Sequence, residues 1–217
     1  LYHKVTIMTD PETASEHLKV IRSLMERSTI YRAISAPGAL FGGILAAGIG
    51  LWMATSEFAQ SMNYMTLFGI WVGVLIIGDG FNAWLLFKKA NSRSEPFFSS
   101  GMKVAMKSIL PPMVAGGLLS HFLLHQGGDM VMCVVLWILF YGLALLAAGS
   151  FAPRSMRWLG AFFVLVAMLC IVAGYFLEPA APTQDIRIAG FLMAGSFGLL
   201  HILYAVSIFL KPDASAQ

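Results

Sequence analysis

Asp79 carries the most chemistry to explain. It interrupts a long apolar run in the segment Ile77-Gly78-Asp79-Gly80-Phe81-Asn82. An ionisable side chain inside such a run is costly in a bilayer and by default points to function. Tyr141, Ser196, His201 and Tyr204 lie inside two later apolar runs, and Ser120, His121 and His125 lie near the end of another. A carboxylate partnered by an imidazole can respond to protons or to cations. The plainer alternative is a buried carboxylate satisfied by Asn82, by a serine or by backbone groups. His201, Tyr141 and Tyr204 likewise admit a role as core side chains with satisfied hydrogen bonds.

A helical rise of about 1.5 Å per residue turns sequence position into depth. Counted from the outer ends of their runs, Asp79 lies about 22 Å down, His201 about 20 Å and Tyr141 about 17 Å. These three can meet in one layer, with Asn82, Ser196 and Tyr204 completing an intramembrane polar cluster. His121 lies only about 6 Å down, and His125 sits at the rim. His121 and His125 form a sound metal pair on one helical face, but His201 as third ligand would be about 14 Å away in depth. Zinc–nitrogen bonds are about 2.0–2.1 Å, so a three-histidine zinc site is disfavoured, and haem held by His125 and His201 meets the same objection. No cofactor is therefore expected. Cys133 and Cys170 both fall inside apolar runs, where a free cysteine behaves as a small hydrophobe. There is no phosphate-binding glycine loop, H-E-x-x-H or nucleophile elbow. No catalytic residue is assigned, and the reading leans away from an enzyme.

The elements that must position these groups follow from composition. The 217 residues are 58% hydrophobic and only 12% charged, with a mean hydropathy of +0.77. A soluble domain is typically about 45–50% apolar and about 25% charged. That difference all but excludes a soluble globular domain and predicts an all-α, polytopic transmembrane bundle. Six runs approach the roughly 20 apolar residues that a span requires: 34–54, 64–87, 108–125, 130–149, 158–177 and 188–210. Pro111-Pro112 falls in the first turn of the third, the shortest. Three domains are expected: a cytoplasmic N-terminal segment over 1–33, the six-helix domain over 34–210 and a cytoplasmic tail over 211–217.

Thr9-Asp10-Pro11-Glu12 has the form of a capping box. It precedes an amphipathic helix with Leu18, Ile21, Leu24 and Met25 on one face. That helix lies on the membrane interface or packs against the bundle ends. The stretch from Met8 reads like a natural start, so Leu1–Ile7 is expected to be an upstream extension or an altered start site. No cleavable signal is visible. Of fourteen lysines and arginines, all but Arg187 fall on one side if the N-terminus is inside. By the positive-inside rule both termini are cytoplasmic, in a bacterial inner membrane. The N-terminal helix and the Lys88–Lys107 connection would then meet anionic lipid headgroups. The net charge of +3 belongs to this inside surface and not to a nucleic-acid site.

Gly38-x-x-x-Gly42, Gly69-x-x-x-Gly73 and Ala194-x-x-x-Gly198 supply the small residues that let helices approach in lipid. They serve packing within the bundle or a homo-oligomer face. Gly117-Leu118-Leu119-Ser120-His121 and Gly198-Leu199-Leu200-His201 also suggest an inverted pairing of the two three-helix halves, as in many transporters.

Several segments resemble an uncharacterised family of small bacterial polytopic membrane proteins. They are Met25-Glu26-Arg27-Ser28-Thr29 with Ala33-Ile34-Ser35, Phe140-Tyr141-Gly142-Leu143-Ala144-Leu145, Arg157-Trp158-Leu159-Gly160 and Phe197-Gly198-Leu199-Leu200-His201. The resemblance implies the fold but no activity. Its pattern includes histidines like His125 and His201, and does not clearly include His121 or Asp79. The leading expectation is a small-molecule or ion binding or transport protein. The rivals are an accessory or scaffold subunit of a larger membrane assembly, and an intramembrane enzyme or haem or metal carrier.

Overall fold

The computed structural model describes residues 15–21, 35–92, 97–98, 100–150, 153–176 and 182–210. The capping box, most of the N-terminal segment and the tail lie outside these residues. Among the described residues there is no strand, and six helices are long and apolar enough to cross a membrane. The protein is a polytopic all-α membrane bundle.

Residues 15–21 form a short exposed helix, α1, within the expected amphipathic segment. The first span is α2 (Ala36–Thr55). Ser35 caps it by accepting a hydrogen bond from the Gly38 amide, and Pro37 sits in its first turn, where no amide donor is needed. A one-turn helix that the apolar pattern does not announce, α3 (Glu57–Gln60), follows with Ser56 as its cap. The second span, α4 (Tyr64–Asn91), is capped by Asn63 and ends on Lys88 and Lys89. The third is α5 (Ser100–His125). The fourth, α6 (Met130–Ala147), is capped by Asp129 and runs into a 3-10 turn, Ala148–Ser150. The fifth is α7 (Arg154–Phe176). The sixth comprises α8 (Pro182–Met193), a π-helical stretch over Ala194–Leu200, and α9 (His201–Phe209).

Two expectations require correction. The third span begins eight residues before Ser108, so Pro111 and Pro112 lie inside α5 and not in its first turn. Met102, Val104 and Ala105 extend the helix toward the lysines, and Ala105 is buried. The expected long basic connection also shrinks, because Lys88 and Lys89 belong to α4 and Lys103 and Lys107 to α5.

Helix α2 packs along the whole sixth span, and α6 packs between α5 and α7. Helix α4 leans on α2 and touches α5 only sparsely. The α2 contact depends on glycine. A methyl group placed on Gly50 would lie 2.8 Å from the Gly190 carbonyl, and one on Gly43 would lie 3.0 Å from the Gly198 carbonyl. Gly142 and Gly160 make the equivalent approach between α6 and α7. Gly38 and Gly198, expected at helix contacts, both lack room for a side chain. Gly42, Gly69 and Gly73 face open space. The core centres on Met53, Leu67, Ile138 and Phe163, all essentially without exposed surface.

Candidate functional site

Tyr141 and His201 meet in the middle of the bundle. The Tyr141 hydroxyl and His201 Nε2 are 2.7 Å apart. Tyr141 comes from the middle of α6, and His201 from the junction where the π stretch becomes α9. In a π turn the backbone is wider than in an α-helix, and such segments recur at functional sites. Here the stretch carries Phe197, whose ring lies nearly parallel to the imidazole at a centroid distance of 6.2 Å. Phe163 of α7 closes the group, with centroids 4.8 Å from Tyr141 and 5.5 Å from His201. Four rings from three spans thus enclose one hydrogen bond.

The far imidazole nitrogen, Nδ1, is buried and has no hydrogen-bond partner among the described residues. The Phe197 carbonyl, one turn back, interacts with the ring but completes no well-formed bond. Which of the Tyr141 hydroxyl and His201 Nε2 donates depends on the tautomer of the imidazole.

Asp79 of α4 and Tyr204 of the sixth span lie in the neighbourhood of Tyr141. No hydrogen bond from a described residue satisfies the Asp79 carboxylate, and its side chain is exposed at the helix surface. Asn82, the expected partner, turns elsewhere: the Ser35 hydroxyl donates to its Oδ1 at 2.8 Å, which ties α4 to the start of α2. Ser196 is buried and donates to the Leu192 carbonyl of its own span at 2.6 Å. Of the six expected members, Asp79, Tyr141, His201 and Tyr204 share a neighbourhood, while Asn82 and Ser196 are occupied locally.

His121 and His125 are both exposed on α5. His121 packs edge-on against Phe68 and does not join His201. Among the described residues no three histidine, cysteine or acidic side chains converge.

A cavity of about 150 Å³ adjoins Tyr141. It lies between α4 and α5, floored by α6 and the sixth span, and Phe68, Trp71, Trp137 and Phe140 contribute rings to its wall. The Trp71 indole donates to Met53 Sδ at 3.4 Å. Val72 and Leu75 line the cavity from α4, and Asp79 continues their helical stripe one turn toward the basic end.

A second polar cluster, missed from sequence, sits at the opposite end. Asp185 of α8 is buried and accepts from the Met130 and Val131 amides of α6 at 2.8 and 3.0 Å. Tyr64 of α4 lies close to the same carboxylate. Nearby, Gln60 donates to the Ala54 carbonyl at 2.9 Å and makes a long 3.5 Å contact with Arg187. This cluster satisfies the first amides of α6 and joins three spans, which is an architectural task.

No family model, curated protein or solved structure matches the chain.

Proposed function

We propose that the protein binds a small molecule or ion within the membrane, and carries it across, at the layer formed by Asp79, Tyr141 and His201. The observation that carries this reading is the part-buried 2.7 Å Tyr141–His201 bond, with Asp79 in the same neighbourhood. A polar pair is retained at such depth at a cost, and the adjoining cavity gives a ligand room beside it. The basic ends of the spans face the cytoplasm in this reading, placing Lys88, Lys89, Lys103 and Lys107 at anionic headgroups of a bacterial inner membrane.

The test is flux in proteoliposomes loaded with a pH-sensitive or cation-sensitive dye. Protein-dependent flux is expected, abolished by Asp79→Asn and strongly reduced by His201→Gln. Flux that is missing from the native protein, or equal in both variants, would sink the transport reading.

One observation favours a partner role as a second reading. Gly69 and Gly73 lie on α4 with open space around them, on the span that buries least of itself in the bundle. Cross-linking through Gly69→Cys in native membranes separates the two: a specific dimer or heteromer supports the partner role, and a monomer removes it.

A further inference from the structure

The cavity beside Tyr141 has a size, a lining and an opening that together specify a ligand. At about 150 Å³ it matches the dry apolar cavities that accept a single benzene ring. Its walls are aromatic and aliphatic, so a ring entering it exchanges lipid contacts for flat aromatic ones. An inorganic ion or a sugar would find almost nothing there to replace its water.

Among the residues that line the cavity, Tyr141 alone carries a hydroxyl. Tyr141 borders the cavity while hydrogen-bonded to His201 Nε2. A tyrosine oxygen has one proton and further lone-pair capacity. Whichever group donates in the bond to the imidazole, the oxygen keeps a lone pair, and so can offer the cavity an acceptor. The complementary ligand therefore brings a donor.

The route in is sideways. Helices α4 and α5 supply Val72, Leu75, Met113 and Gly117 to opposite sides of the cavity, yet they barely touch one another. Val72 and Leu75 are also partly exposed on the outer surface of the bundle, which at this depth is the surface that meets lipid. A β-carbon added at Gly117, which lines the cavity, meets no atom within 4 Å, so there is free space on the α5 side.

We propose that a lipid-soluble, single-ring phenol, or the phenolic head of a larger lipid, enters from the bilayer between α4 and α5 and donates its hydroxyl proton to the Tyr141 oxygen. This names the ligand class for the binding reading above and rests on it.

The experiment uses the full chain in lipid nanodiscs, with 4-bromophenol as probe and 4-bromoanisole as its donor-less counterpart. Bromine quenches indole at contact range, and Trp71 and Trp137 line the cavity. The expected result is saturable quenching beyond that due to lipid partitioning, measured with a tryptophan-bearing spanning peptide in equivalent nanodiscs. The phenol should bind about tenfold more tightly than the anisole, the scale of one hydrogen bond in an apolar site. In Tyr141→Phe the ratio should fall to about one. Gly117→Leu, which fills the space, should remove the saturable component while leaving the thermal unfolding midpoint close to native. If Gly117→Leu does not fold, Leu75→Trp narrows the cavity from the other side and must have the same effect. Quenching no greater than partitioning, equal affinity for the two probes, or full binding in a folded cavity-filled variant overturns the proposal. Phenol binding without flux overturns transport and leaves the ligand class standing; Asp79-dependent ion flux without phenol binding does the reverse.

Discussion

Asp185 shows how one side chain can hold several spans. Two amides at the start of α6 converge on its carboxylate, and Tyr64 of α4 lies close to it. Asp185→Ala removes the acceptor and leaves buried donors unsatisfied, so stability should drop by about 2–4 kcal/mol. Asp185→Asn, which keeps one acceptor oxygen, should lose roughly half of that. Thermal or denaturant unfolding in detergent measures both, and an unchanged Asp185→Ala variant would show that the cluster is dispensable. At this scale, legibility in the sequence depended on depth. Asp79, Tyr141 and His201 sit in long apolar runs, where counting residues along a helix estimates height in the bilayer. Asp185 precedes its apolar run, where position carries no depth signal, and the amides it caps belong to a helix more than fifty residues away. Phe163 carried no signal either, since one phenylalanine among many apolar neighbours does not reveal that it will face an imidazole.

At the level of elements, the two kinds of glycine separate cleanly. Gly198→Leu puts a side chain where α2 backbone already lies, since even a methyl group would be 2.8 Å from the Ala47 Cα. It should destabilise by about 3 kcal/mol or more, or prevent folding. Gly69→Leu projects into open space and should stay within about 0.5 kcal/mol of the native protein. Unfolding of the two variants side by side checks the contrast, and equal effects would contradict the helix pairing. The spacing of small residues marked Gly198 but could not tell Gly42 from Gly43, one position and about 100° apart on the same helix. Gly43 is the one against the sixth span. The extra length of α5 was hidden because its basic-end turns mix lysines with apolar residues. The π stretch left no mark in composition, because it is a matter of backbone winding and not of residue type.

Across the whole molecule, charge placement makes a directional statement. A cysteine-substituted chain lacking Cys133 and Cys170 can be probed with an impermeant maleimide in intact spheroplasts. Ser61→Cys, exposed at the acidic end, should label from outside, and Lys103→Cys only after lysis. The reverse pattern would invert the orientation. The six spans were legible because each must satisfy its backbone internally and cover itself with apolar side chains in lipid. Which span lies against which was not, because nearly every face is apolar.

The partnership of α2 with the sixth span has a consequence for how the chain is made. The ribosome releases α2 with four spans still to come before the sixth, so the glycine seam of α2 waits through their synthesis before its complement arrives. Until then Gly43 and Gly50 present bare backbone to whatever is adjacent, be it lipid or an insertion factor. The bundle is closed by its two ends, and a nascent chain stalled before Gly190 would hold every span but the one that locks it.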